Sequence, residues 1–267
     1  MRNLLNNRPI GVFDSGIGGL SIFLALKKLL PKENFIYLAD QKNCPYGGRS
    51  RKKIKSLTLK NIQFLLKNDC KLIVVACNTA TTAAIDFLRS RFPEIPFVGV
   101  VPPVKTASKK TETGHIVVLS TQATQKSLYL RRLINKFAKD KNIYNLSCQG
   151  LVEIIEKGEV GGKKARLLLK KCLKGVLRNK KVDVVVTGCT HYPFVKEAIV
   201  NLFLHEVKFI EPSLAVSQQA KRVLEENHIL SYKRKTDRFF TTSDPKFFEI
   251  AFKKLFGFKI KAERVKL

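Results

Sequence analysis

The sequence predicts an α/β fold with two similar domains and mostly parallel sheets, and three observations support this prediction. Short apolar runs rich in β-branched residues alternate with amphipathic stretches of helical length. Polar residues and glycines directly follow several apolar runs, at the position where ligands bind in such sheets. Two of these segments, residues 72–77 and 184–189, resemble each other and both end in cysteine. We therefore expect an active site in the cleft between the two domains.

The predicted strands and helices alternate along the chain, as in parallel sheets covered by helices. Two proline-containing segments, Pro102-Pro103 and Glu211-Pro212, are the predicted crossings between the domains. The first domain then comprises residues 1–100 plus 212–267, and the second comprises residues 101–211. Strands are predicted at 10–13, 34–38, 72–76, 97–101, 115–119, 182–187 and 207–210, and helices at 21–30, 51–68, 82–91, 128–139, 163–177, 194–202, 213–226 and 245–256.

The composition predicts a cytoplasmic protein with a substantial core. The chain has 267 residues, of which 45% are hydrophobic. No apolar run is long enough to cross a membrane, and residues 1–9 contain no apolar segment of a secretory signal. The six cysteines are scattered and form no CxxC pair. We therefore expect reduced thiols, no zinc site and no metal.

The net charge of +29 suggests a polyanionic partner such as nucleic acid. However, 36 of the 50 basic residues are lysines, and these are dispersed, often in pairs within predicted helices. No arginine-rich arm and no basic motif with interleaved aromatic residues is visible. The favoured interpretation is a solvated lysine-rich surface that attracts anions, with at most weak binding of nucleic acid.

Two cysteines at strand ends, Cys77 and Cys189, indicate acid–base chemistry. Cys77-Asn78-Thr79 follows one predicted strand and Cys189-Thr190-His191 follows another. A thiol at a helix N-terminus forms its thiolate more easily than a thiol in bulk water. Inversion of a tetrahedral carbon requires removal of a proton on one face and delivery of a proton on the other. One thiolate and one thiol on opposite sides of a cleft perform both steps.

Other interpretations exist for the same residues. Asp14-Ser15-Gly16 follows the first strand and is also typical of a turn or a helix N-cap. The glycines around Gly16 and Gly18 resemble a dinucleotide-binding loop, but the position of the third glycine is Ser21, so that fingerprint fails. A redox switch that joins Cys77 to Cys189 needs the two sulfurs within bonding range, which a cleft wide enough for an amino acid forbids.

Four motifs together resemble glutamate racemase, in the cofactor-independent aspartate/glutamate racemase superfamily, and they cover essentially the whole chain. They are Asp14-Ser15-Gly16, Pro45-Tyr46-Gly47, Ala76-Cys77-Asn78-Thr79-Ala80 and Gly188-Cys189-Thr190-His191-Tyr192-Pro193. The resemblance implies a two-domain α/β fold, no pyridoxal phosphate or metal, and a homodimer. It also implies interconversion of L- and D-glutamate, which supplies the D-isomer for peptidoglycan and hence for cell-wall biogenesis and cell shape.

The resemblance implies roles for individual residues. Cys77 matches the cysteine that deprotonates D-glutamate, with Asp14 assisting it, and Cys189 matches the one that deprotonates L-glutamate, with His191 assisting it. None of the matched binding positions is Lys or Arg, so neutral donors are expected to hold the substrate carboxylates. The matched binding positions are Asp14, Ser15, Tyr46, Gly47, Asn78, Thr79, Thr190 and His191, and the further positions expected in the cleft are Pro45, Thr121, Thr124 and Glu153.

Two alternative functions stay open, one in the same superfamily and one in another functional class. An aspartate or broad-specificity racemase usually carries Thr-Glu after the second cysteine, whereas this chain has Thr190-His191, which favours glutamate. A nucleic-acid-binding protein with a degenerate racemase fold is suggested by the charge, although the intact cysteines, Asp14 and His191 favour catalysis. Family members that a cell-wall precursor activates tend to have an N-terminal extension longer than residues 1–9, so no such activation is expected.

Overall fold

The strands of the protein form two parallel sheets in a computed structural model, which describes residues 7–233 and 236–267. Residues 1–6, on which part of the expectation for the N-terminal segment depends, lie outside the described residues. The strands are β1 (Ile10–Asp14), β2 (Phe35–Ala39), β3 (Leu72–Val75), β4 (Phe97–Gly99), β5 (His115–Ser120), β6 (Asn142–Ser147), β7 (Val182–Gly188), β8 (Lys208–Ile210), β9 (Arg238–Thr241) and β10 (Ala262–Arg264).

The two sheets share one strand order. The six-stranded sheet runs β10-β9-β2-β1-β3-β4 and the four-stranded sheet runs β6-β5-β7-β8. In each sheet the first strand along the chain lies between the second and the third, and the fourth lies outside the third. The strand pairs in both sheets are parallel. The predicted α/β class and the mostly parallel sheets are confirmed, and β3 and β7 occupy equivalent places.

The helices cover both faces of the sheets, so successive residues of the buried strands are apolar. Within β3, Leu72 and Val74 pack into one core and Ile73 and Val75 into another. The helices are α1 (Leu20–Leu29), α2 (Arg51–Lys67), α3 (Asn78–Arg91), α4 (Val104–Lys110), α5 (Gln122–Gln125), α6 (Leu128–Phe137), α7 (Leu151–Glu156), α8 (Lys163–Leu173), α9 (Lys196–Val200), α10 (Ser213–Glu226) and α11 (Pro245–Phe256), with 3₁₀ turns at Gln41–Asn43 and Tyr192–Val195.

Several elements differ from the sequence prediction. Helix α3 begins at Asn78 rather than at residue 82, because Cys77 takes the extended N-cap conformation directly after its strand. Strands β6, β9 and β10 were not predicted. Strand β6 is a half-buried edge strand with asparagines at two of its six positions, so it lacks the apolar run that marks a buried strand. Helices α4, α5 and α7 are too short to show a clear period.

The expectation of reduced thiols is wrong for one pair of cysteines. Cys148, which follows β6, forms a disulfide with Cys172 on α8, and their Cα atoms lie 5.5 Å apart. The packing of α8 against the second sheet brings the two residues together, and no sequence pattern shows that packing. Cys44, Cys70, Cys77 and Cys189 are free. No helix among the described residues is long and apolar enough to cross a membrane.

Candidate active site

Cys77 and Cys189 line the same small cavity, at the ends of equivalent strands in the two sheets. The cavity has a volume of only about 10 Å³, and both cysteines are buried in its wall. Among the described residues, no Lys or Arg lines it. The structure therefore brings together most of the residues singled out from the sequence. The lining residues are Ser15, Pro45, Tyr46, Gly47, Cys77, Asn78, Thr79, Thr121, Val152, Cys189, Thr190 and His191.

Ser15 connects Cys77 to the buried carboxylate of Asp14. The Ser15 hydroxyl lies 3.5 Å from Cys77 Sγ and donates a hydrogen bond to Asp14 Oδ1 at 3.4 Å. Burial, and then the nearby charge of Asp14, raise the pKa of Cys77, while the Ser15 contact opposes that shift. Cys189 is close enough that its negative charge also raises the pKa of Cys77. In this closed arrangement Cys77 is a thiol, ready to donate its proton.

Asp14 lies behind the cavity wall and bridges the two halves of the site. Its carboxylate accepts hydrogen bonds from the backbone N–H groups of Ser15 at 2.7 Å and Gly19 at 2.5 Å. It also accepts from the Thr190 hydroxyl at 3.3 Å. Burial raises the pKa of Asp14, and His191 and the two backbone N–H groups partly offset this. Asp14 is therefore linked to Cys77 by way of Ser15, and to the residue after Cys189 by its hydrogen bond with Thr190.

His191 contacts Cys189 with one ring nitrogen and Glu156 with the other. Nδ1 lies 3.9 Å from Cys189 Sγ, and Nε2 lies 2.6 Å from Glu156 Oε1. Burial alone would lower the pKa of His191, but its contacts with Cys189, Cys44 and Glu156 outweigh this and raise the pKa well above its usual value. Burial would raise the pKa of Glu156, but its contacts with His191, Gln41 and Ile17 hold it below the usual range. The pair is therefore an imidazolium–carboxylate pair.

Sequence reasoning selected Glu153 on α7 and missed Glu156, one helical turn later. Glu153 is exposed and lines an outer pocket of about 310 Å³ that shares Pro45, Gly47, Thr121 and Val152 with the cavity. Glu156 points inward beside His191. The missed signal was the helical period, since Glu156 follows the buried Val152 by four residues and so lies on the same face.

The start of α3 carries the polar side chains of Asn78 and Thr79. The Asn78 amide has no hydrogen-bond partner among the described residues, whereas Thr79 belongs to a cluster of three threonines. Both amide atoms of Asn78 are buried and have no hydrogen-bond partner within the described part of the chain. Thr79 Oγ1 lies 2.8 Å from Thr121 Oγ1 and 3.4 Å from Thr124 Oγ1. Thr124 is fully buried behind the cavity rather than in its lining. Asn78 is therefore the group most clearly left for a ligand.

Tyr46 contributes its ring to the cavity, while its hydroxyl is engaged elsewhere. The hydroxyl donates to Asp40 Oδ2 at 2.5 Å. Asp40 is itself buried and accepts hydrogen bonds from Asn61 and from the Thr242 hydroxyl. Asp40 therefore positions Tyr46, and sequence reasoning missed this role because its partners come from distant parts of the chain.

Two glycines in the loop after β1 allow that loop to approach the second sheet's residues. A Cβ at Gly18 would lie 2.4 Å from His191 Nδ1 and 2.7 Å from Thr190 Oγ1. A Cβ at Gly16 would lie 1.9 Å from Glu156 Oε1. These glycines therefore serve close packing across the cleft, which explains a glycine-rich loop that lacks the dinucleotide fingerprint.

Cys44, Glu156 and His191 could hold a metal ion, since one ligand atom from each lies within 4.8 Å of the others. The sequence did not predict this cluster, because its members come from three different segments of the chain. The cysteines that line the cavity, Cys77 and Cys189, are separate from it.

Comparisons with known proteins show which family this chain resembles. The model of the Asp/Glu/Hydantoin racemase family matches residues 19–220. The chain is 40% identical over 262 residues to a glutamate racemase from Clostridium perfringens, covering 97% of this chain and 100% of that protein. The glutamate racemase of Francisella tularensis, solved in complex with D-glutamate, is 34% identical with a TM-score of 0.85, and 98% of each chain is covered.

A glutamate racemase isoform from Bacillus anthracis has a TM-score of 0.90 at 29% identity, with 98% of each chain covered. The similarity therefore extends through both sheets. Because the family model matches more than half of the chain and relatives of about 40% identity span nearly all of it, this protein belongs to the Asp/Glu/Hydantoin racemase family and is an amino-acid racemase.

Proposed function

We propose that the protein interconverts L-glutamate and D-glutamate by proton transfer between Cys77 and Cys189, and supplies D-glutamate for peptidoglycan synthesis in the cytoplasm. The observation that supports this most directly is the shared cavity: two buried cysteines follow equivalent strands of two parallel sheets and face the same small volume. An inversion at Cα needs such a pair, because the proton leaves one face and another arrives on the opposite face.

The proposed reaction balances one proton on each side. With L-glutamate, the thiolate of Cys189 takes the α-proton and becomes a thiol. The thiol of Cys77 then gives its proton to the opposite face of Cα and becomes a thiolate. With D-glutamate the roles are reversed, and the product leaves each cysteine in the protonation state that the opposite direction needs.

Each cysteine has its own buried partner for this task. His191, held by Glu156, is the polar group next to Cys189 and can exchange a proton with its sulfur. Ser15, hydrogen-bonded to Asp14, is the polar group next to Cys77. A substrate ammonium on the Asp14 side would lower the pKa of Cys77, because a nearby positive charge favours the thiolate.

The cavity offers neutral donors for the two carboxylates of glutamate. The Asn78 amide has no protein partner among the described residues, and the N-terminus of α3 presents backbone N–H groups beside it. Thr79, Thr121 and Thr190 add hydroxyl groups to the wall. These neutral donors bind a carboxylate and add no positive charge to the cavity beyond that of His191. The Francisella tularensis neighbour, solved with D-glutamate, supports this choice of substrate.

Three further expectations accompany this function as proposals. Residues 1–100 plus 212–267 and residues 101–211 would form the two units that close over the substrate. The protein would be a homodimer, which light scattering after gel filtration tests. Nucleic acid would bind weakly and without sequence preference. A salt titration of DNA binding tests this, because affinity that comes from phosphate contacts falls as the salt concentration rises.

The decisive experiment follows the purified protein with L-glutamate in D₂O. We expect loss of optical rotation together with incorporation of deuterium at Cα. Activity is expected to survive dialysis against a chelator and treatment with carbonyl reagents, because the two thiols suffice. Loss of activity that pyridoxal phosphate or a metal restores would contradict the two-cysteine reaction.

A further inference from the structure

A metal-ligating cluster lies beside the catalytic cavity and includes a cysteine that the proposed reaction does not use. Cys44 follows β2, Glu156 ends α7 and His191 follows β7. One ligand atom of each, the thiol sulfur, a carboxylate oxygen and a ring nitrogen, lies within 4.8 Å of the other two. Cys44 comes from the chain segment of the first sheet, and the other two come from that of the second sheet.

The donor set fits Zn²⁺ or a similar ion. Zinc binds thiolate, imidazole and carboxylate ligands at about 2.0–2.3 Å in tetrahedral geometry, which places neighbouring ligand atoms about 3.3–3.7 Å apart. The contact of 2.6 Å between His191 Nε2 and Glu156 Oε1 would open by about 1 Å. The Cys44 sulfur already lies within 4.8 Å of the other two ligand atoms, so it would move in by about 1 Å at most. The thiolate and the carboxylate together neutralise the two charges of the ion.

The surroundings of the cluster supply outer hydrogen bonds and access for an ion. Gln41 Nε2 donates to Glu156 Oε2 at 2.9 Å, and the backbone N–H of Ile17 donates to Glu156 Oε1 at 2.8 Å. Such outer partners orient ligands in metal sites. Gln41, Cys44 and Glu156 also line an open pocket of about 590 Å³. An ion can therefore arrive through this pocket, and water can take the fourth ligand position.

We propose that Cys44, Glu156 and His191 bind a zinc-like divalent ion and that this ion inhibits the enzyme reversibly. On binding, the ion replaces the thiol proton of Cys44 and the proton shared by His191 and Glu156, and these protons pass to solvent. The imidazole that faces Cys189 is then held by the metal. The ion also ties the segment after β2 to the segment after β7. The binding itself does not depend on the proposed function, whereas the inhibition rests on it.

The binding is tested by titrating the full-length protein with Co²⁺, whose thiolate complexes absorb in the near ultraviolet. We expect one equivalent to produce this band, and Cys44→Ser to weaken binding by about 100-fold or more, beyond the 10–100-fold typical of outer partners. Cys70→Ser is the matched control, since Cys70 is a buried free thiol in the core of the first sheet. Cys77→Ser is also expected to keep the band, which separates the cluster from the catalytic thiols.

Two outcomes overturn the binding site: no band with the wild-type protein, or equal binding by wild-type and Cys44→Ser. Circular dichroism and the thermal midpoint check that the variant is folded. The inhibition is tested with Zn²⁺ in the racemisation assay, where we expect loss of activity, recovery with chelator, and resistance in Cys44→Ser. Binding without inhibition overturns the inhibitory role alone. An inactive wild-type protein would contradict the proposed function, while the Co²⁺ titration would still decide the binding site.

Discussion

Nε2 of His191 lies 2.6 Å from Oε1 of Glu156, while Nδ1 of the same ring faces Cys189 Sγ at 3.9 Å. The carboxylate fixes the orientation of the imidazole and stabilises its charged form. Glu156 also accepts from Ile17 N and Gln41 Nε2, both on segments that connect strands of the first sheet. Glu156 therefore orients His191 beside Cys189 and, at the same time, connects it to two segments of the first sheet.

Glu156→Gln should lower kcat/KM by about 10–100-fold, because a hydrogen bond to a charged group contributes about 1.5–3 kcal/mol. The loss should be accompanied by a shift in the basic limb of the pH profile, since His191 loses the carboxylate that raises its pKa. Steady-state assays from both enantiomers over a range of pH measure this. Glu153→Gln, an exposed residue on the same helix, is the matched control and should change kcat/KM less than about twofold. Equal effects of the two variants would contradict the assignment.

The same pair should make stability depend on pH in a defined window. The raised pKa of His191 adds stability that is complete below its ordinary value of 6.5 and is lost as the pH rises through the folded-state pKa. The lowered pKa of Glu156 adds stability that is present above its ordinary value of 4.5 and is lost as the pH falls through the folded-state pKa. Urea unfolding should therefore show the largest difference between wild type and Glu156→Gln between these two values. A difference that is constant at all pH values would contradict the charged pair.

Replacing either cysteine should separate the two faces of the reaction. Cys77→Ser and Cys189→Ser should each lose racemisation by orders of magnitude, because a serine hydroxyl titrates far above the useful range. An amino acid with a leaving group on Cβ needs only one base for elimination. With such analogues, Cys77→Ser should process only the L-enantiomer, and Cys189→Ser only the D-enantiomer. Near-wild-type racemisation by either variant would mean that one group serves both faces.

Gly18→Ala should reduce activity by about 100-fold, because a displacement of about 1 Å in a catalytic group can cost that much. The added methyl group would lie 2.4 Å from His191 Nδ1, so the loop or the imidazole must move. Gly175→Ala is the control, since a Cβ there meets nothing within 4 Å. Assays of both variants, with melting temperatures to confirm folding, measure the effect. Unchanged activity in Gly18→Ala would show that the cleft tolerates a wider opening.

Glutamate should be strongly preferred over aspartate. A substrate shorter by one methylene leaves at least one carboxylate or its protein donor unpaired, and polar sites discriminate strongly in that case. Asn78→Ala should raise KM for glutamate and reduce this preference, since the Asn78 amide lacks a protein partner among the described residues. Values of kcat/KM for both amino acids with both proteins measure this. Similar values for the two amino acids in the wild type would contradict the substrate assignment.

The sequence by itself determined the fold class and the pair of cysteines. Apolar runs buried on both faces predict parallel strands, because helices cover each side of the sheet. Polar residues directly after those runs predict a site, because parallel strands end at one edge. Cys77 and Cys189 were visible in this way, and each follows the third strand of its sheet. The motifs around them also indicated the family.

Only the tertiary structure decided which groups support these cysteines. Glu156 rather than Glu153 contacts His191, because the orientation of α7 turns one face of the helix inward. Cys148 and Cys172 are joined because α8 packs beside the end of β6. Cys44 approaches His191 and Glu156 because the two sheets close against each other. The helical period places Glu156 on the buried face of α7, but no local period identifies its partner or the other two contacts. These contacts join residues far apart in the chain, so they form only when the helices and sheets are packed.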